Sequence, residues 1–187
     1  MGGHVTGKSK LWIVLSAALL IGVVATAAWG WPTLMRRRQA TYAMEVLGRI
    51  ARRAHVYYVK PRQGEKESRM PCQFPRGEVR STPALSCCDE RVRTAEGNLC
   101  DPAKTDWNRL LWRALTIELN EPQPFVYTYK ASGTFKDATY TVTAIGDLDC
   151  DGVYATYTYI GRGDPNATAE NCVLKTHPTF TATNPGE

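Results

Sequence analysis

Asp147-Leu148-Asp149-Cys150-Asp151-Gly152 is the stretch whose residue types and spacing speak most directly to chemistry. Carboxylates at alternate positions converge on one hard cation, and a glycine in the sixth place permits the sharp turn that brings them together. The pattern is the first half of a calcium loop. The glutamate that would close such a loop is missing: Thr158 stands in its place. The flanking segments read as strands, not helices. Two readings follow. One is a tight polar turn between two strands. The other is a site for calcium or another cation on Asp147, Asp149 and Asp151, completed from the tail by a residue such as Asp164.

Six cysteines are the second feature: Cys72, Cys87, Cys88, Cys100, Cys150 and Cys172. An even number, all in the last two thirds of the chain, reads as disulfides formed in an oxidising compartment. A zinc quartet of Cys72, Cys87, Cys88 and Cys100 lacks the close cysteine pairs that chelation uses. We expect Cys150 to pair with Cys172, since both lie in the C-terminal part. Catalysis finds no support. His4, His55 and His177 are scattered, and cysteines that pair off are not nucleophiles. The expectation is a protein that is not an enzyme and requires no cofactor. Asn166-Ala167-Thr168 is a glycosylation acceptor or a turn.

The net charge is +5, and basic residues crowd the first half, with Arg36, Arg37 and Arg38 as a block followed by Arg49, Arg52 and Arg53. No nucleic-acid recognition motif accompanies them, so nucleic acid is not an expected partner. A basic block beside an apolar run faces lipid headgroups or solvent.

That apolar run is Leu11 to Met35. It is long enough to span a bilayer as one helix, with Trp12 near one end and Trp29 and Trp31 near the other. A cleaved signal peptide is the rival, ending at Ala25-Thr26-Ala27. Both readings put the cysteines outside the cytoplasm. The arginines after the run argue for the reverse orientation, and we weigh the cysteines above them. Ala40, Ala43, Met44, Leu47, Ile50, Ala51, Ala54 and Tyr57 or Tyr58 recur at helical spacing. The economical reading is one helix from about Leu11 to Val59, bent at Pro32 and stopped by Pro61.

Residues 61 to 105 read as an irregular loop region stapled by disulfides. Asp106 is a candidate cap for a helix over Trp107 to Leu119, with Trp107, Leu110, Leu111, Ala114, Leu115 and Glu118 along one face. Phe125–Lys130, Thr139–Ile145 and Val153–Ile160 read as strands of an antiparallel meander, with Cys172 tying back the tail. The expected class is α+β: a long N-terminal helix, membrane-spanning in its first half, on a three- to four-stranded antiparallel sheet. The divisions are a cytoplasmic tail (1–10), a transmembrane helix (11–35), its amphipathic continuation (36–60) and an exported globular domain (61–187).

This arrangement resembles a type IV pilin or type II secretion pseudopilin. The residues that carry the resemblance are Ile13 to Arg38, with Pro32 in the place of the family's helix-bending proline, the amphipathic run Ala40 to Tyr58, and the segment Thr141 to Gly161 (TVTAIGDLDCDGVYATYTYIG). The leader departs from the family pattern, with Lys10 at the cleavage glycine and Leu15 at the glutamate of the mature chain. The resemblance implies a filament subunit or accessory protein that associates with itself or with related subunits through the N-terminal helix. It also implies contact with membrane lipid and a single-pass place in a bacterial inner membrane, with the C-terminal domain in the periplasm or an extracellular filament. A disulfide-bonded binding domain that presents its strand tyrosines is the alternative.

Overall fold

The computed structural model describes residues 7–60, 71–95 and 97–185; the side chains of 7–11, 13–14, 23, 25–33 and 35–36 are outside that description. The chain falls into two units, Met1–Arg38 and Gln39–Glu187. Helix α1 is assigned over Gly7–Val59. Its segment from Gln39 onward belongs to the second unit.

The second unit is built on period-two burial. In β2 (Val126–Ser132), Tyr127, Tyr129 and Ala131 face inward. In β3 (Thr139–Gly146) the inward set is Tyr140, Val142 and Ala144. In β4 (Ala155–Arg162) it includes Ala155 and Tyr157. Successive side chains of a strand point to opposite faces, so this alternation gives one apolar face to each strand. α1 lays Ala43, Val46, Leu47, Ile50, Ala51, Ala54 and Tyr58 into the same core. At its end the Tyr58 hydroxyl donates to the Phe135 carbonyl at 2.9 Å. Phe74 bridges the two layers, 4.9 Å from the Tyr58 ring and 4.7 Å from Tyr140.

β1 (Gly77–Thr82) and β5 (Thr179–Thr183) complete an antiparallel sheet in the order β1-β2-β3-β4-β5. Five strands replace the three to four expected. The expected fold class, a long N-terminal helix on a smaller sheet, is corrected accordingly. β1 comes from the region read as irregular, and β5 from the tail. Neither carries an apolar alternation: β1 buries only Val79 and Thr82, and β5 buries none of its residues.

The transmembrane expectation is also corrected. Among the described residues no helix is long and apolar enough to cross a membrane. A single-pass inner-membrane anchor is therefore not supported. The expected bend at Pro32, the stop at Pro61 and the tail 1–10 fall on side chains or residues outside the description, apart from the helical backbone of 7–10.

The helix expected over Trp107–Leu119 is α2, Leu110–Leu115, alone. Thr116 turns left-handed at φ 54° and closes it, its amide donating to the Arg113 carbonyl. Asp106 accepts the Asn108 amide at 3.0 Å, outside the helix. Leu110 is 83% exposed, while Trp112 is fully buried. The apolar residues after Thr116, Ile117 and Leu119, reach the core from chain outside helix and strand.

Candidate functional site

The acidic hexad joins β3 to β4, where Gly146 pairs with Ala155. Asp147 is buried and organises the turn. One carboxylate oxygen accepts the Asp151 amide at 3.1 Å, the other the Gly152 amide at 3.0 Å. Asp151 in turn accepts the Val153 amide at 2.7 Å. Cys150 and Gly152 both sit at positive φ, 64° and 91°. Glycine takes that conformation without penalty; Cys150 is held in it by the surrounding bonds. Oxygen atoms of Asp147, Asp149 and Asp151 lie within 4.8 Å of one another. A carboxylate oxygen that accepts one amide keeps further lone-pair capacity, so the three can face a common cation.

Neither Thr158, which stands in place of the closing glutamate, nor Asp164, the proposed completing ligand, lies at the turn. Thr158 is in β4 opposite Thr143, their hydroxyls 3.2 Å apart. Asp164 follows the far end of β4, where Arg162 pairs with Thr139. It does a different job there. Its carboxylate accepts the Asn166 amide at 2.9 Å and the Lys175 amide at 2.7 Å, pinning the tail to the β4 exit. This also gives Asn166-Ala167-Thr168 its turn. The two amides, Asn166 first, hold the Asp164 carboxyl below its ordinary pKa. A depressed folded pKa contributes stability above the unfolded value, and that stability fades as pH falls through the folded one. Asp164→Ala is therefore expected to lower the melting temperature at pH 7. The gap to the parent protein should narrow as pH drops below the usual carboxylate range, read by thermal denaturation across pH.

All six cysteines are bonded. The pairs are Cys72–Cys172, Cys87–Cys100 and Cys88–Cys150. The expected Cys150–Cys172 pair is corrected. Cys150 sits in the β3–β4 turn, whereas Cys172 lies beyond the opposite end of β4, so the two cannot meet. The adjacent Cys87 and Cys88 diverge. Cys87 closes a local loop, where Cys100 exchanges amide bonds with Gln123. Cys88 reaches across to fasten the acidic turn.

The strand tyrosines are mostly structure. Tyr127, Tyr129, Tyr140 and Tyr157 are buried, leaving Tyr154 exposed and Tyr159 half-buried. Burial raises the pKa of Tyr127 and Tyr129, with like contributions from Tyr42 and Tyr140 respectively. Neither hydroxyl has a hydrogen-bond partner among the described residues. A buried hydroxyl without a partner costs about 1–3 kcal/mol. Tyr127→Phe is expected to stabilise the domain by about 1 kcal/mol, seen as a higher urea midpoint at unchanged slope.

A groove of about 610 Å³ opens between α1, the end of the β3–β4 pair and the segment before β5. Its floor includes Phe74 and Tyr140, and its rim carries Arg52, His55, Arg162, Lys175 and His177. Sequence reasoning missed this set, because three distant segments supply it and no local motif joins them.

With fold and groove in view, comparisons with family models, curated proteins and solved structures give no match. The functional reading therefore rests on the residues themselves.

Proposed function

We propose that this chain is a pilin-like structural subunit, associating with further copies or related subunits through the N-terminal part of α1. One observation carries the reading. Trp12, Leu15, Leu19, Leu20, Ile21 and Val24 are each more than half exposed. Soluble monomers rarely leave so many large apolar side chains uncovered in one short stretch. Burial against like helices removes that surface from water, with Ser16 and Gly22 small enough for close approach. The second unit supplies a rigid body, tied by three disulfides, that suits an oxidising compartment. The tyrosine-presenting alternative is weakened, since four of its six tyrosines are core residues.

Leu15→Lys/Leu19→Lys tests the reading, because the two positions share one helix face. The full-length parent should sediment as assemblies, and the variant as a monomer with an unchanged melting temperature. A monomeric parent at the same concentration removes the proposal. Calcium at Asp147, Asp149 and Asp151 is a separate proposal. A higher melting temperature at millimolar calcium supports it, and no shift removes it.

A further inference from the structure

The groove and the acidic turn lie at opposite ends of one hairpin. At the groove end Thr139 pairs with Arg162 and Tyr140 with Gly161; at the other end Gly146 pairs with Ala155, and the turn begins. Seven steps of about 3.4 Å from Thr139 to Gly146 put roughly 24 Å between the two ends. The groove is apolar below and cationic above, and none of its lining residues is acidic. Asp164 lies near enough to Lys175 to feel its charge, but it is buried and its oxygens accept backbone amides. Arg52, Arg162 and Lys175 form no ion pair with a carboxylate among the described residues. The turn presents the complement: exposed Asp149 and Asp151, followed by Val153 at 40% and Tyr154 at 45% exposure.

We propose that the groove receives the β3–β4 turn of a second copy of this chain. Asp149 and Asp151 face Arg52, Arg162 and Lys175, while Val153 and Tyr154 cover the apolar floor. The volume falls within the range of about 300–1,000 Å³ that binding clefts occupy, enough for a few side chains of a turn. Because site and occupant sit at opposite ends of the hairpin, one chain cannot satisfy itself. Two antiparallel copies can exchange turns as a closed pair, and a head-to-tail contact forms a ring where the rotation between copies closes and an open row where it does not. The inference deepens the subunit reading by naming a second, electrostatic contact between copies.

Zero-length carbodiimide cross-linking of full-length protein, mixed from ¹⁴N and ¹⁵N preparations in a chelating buffer, tests it. The expected product joins Asp149 or Asp151 of one isotope to Lys175 of the other. Its yield should fall about tenfold from low salt to about 0.5 M salt, since these charges are exposed and screened. Arg52→Glu/Arg162→Glu alone and Asp149→Lys/Asp151→Lys alone should each lose turn-to-groove products, with melting temperature confirming that both fold. Mixing the two variants should restore linkage between the exchanged patches. Turn-to-groove products confined to one isotope, or no linkage in the mixture, overturns the proposal. Leu15→Lys/Leu19→Lys separates the two contacts: the groove product should persist in that background. Helix-dependent assembly without any groove product sinks this inference and leaves the subunit reading standing.

Discussion

Replacing both Cys72 and Cys172 by alanine should lower the stability of the folded domain by about 4 kcal/mol. The two residues are 100 apart in sequence, and a cross-link acts mainly by restricting the unfolded chain. A free 100-residue loop would give about 4.7 kcal/mol in the chain-entropy account. Cys88–Cys150 already shortcuts that loop, which trims the effect modestly because closure entropy grows only with the logarithm of length. Both side chains are buried, so alanine is preferable to serine, whose hydroxyl would be stranded. The same pair removed at Cys87–Cys100, with a separation of 13, should cost about 3 kcal/mol. Urea unfolding of the two double variants, compared at equal slope, gives the order. Equal losses would show that loop length is not what the long bridge controls.

Trp112→Ala is expected to cost about 5 kcal/mol, and to leave little folded protein if the parent domain is of ordinary stability. The indole is fully buried, 5.5 Å from the Trp107 ring and 6.1 Å from Tyr129. Its Nε1 donates to the Thr82 hydroxyl at 2.8 Å, and Thr82 is itself fully buried. Truncation therefore opens a cavity and also leaves a buried hydroxyl short of its donor. Trp112→Phe keeps most of the volume and loses only the bond, so about 1–2 kcal/mol is expected. Chemical denaturation of both separates packing from pairing. A Phe variant as damaged as the Ala variant would show that the bond to Thr82 matters more than the packing of the indole.

These two residues also mark where sequence reasoning stopped. Helical spacing between Trp107 and Leu119 pointed to Leu110 as a core residue and passed over Trp112. The left-handed Thr116 breaks the period there, and nothing in the local pattern announces it. The three central strands were legible from their aromatic and β-branched residues; β2 and β3 bury every second residue, and β4 does so except at half-buried Tyr159. β5 was not, since all five of its residues are exposed and it joins the sheet through its backbone. The acidic turn was found from its spacing alone. Its disulfide partner was not, because vicinal Cys87 and Cys88 diverge for reasons of tertiary placement. The groove cations sit on α1, β4 and the tail, and only the fold brings them to one rim.

A structural subunit of this kind requires that the apolar side chains of α1 up to Val24 be covered by another copy. A photo-reactive residue at position 20, in full-length protein free of added lipid, reads this directly. The expected product is a cross-linked dimer ladder whose linked peptides map to residues 12–24 of a neighbouring chain. Illumination that yields only uncrosslinked monomer, at concentrations where the parent is pure and folded, would contradict it.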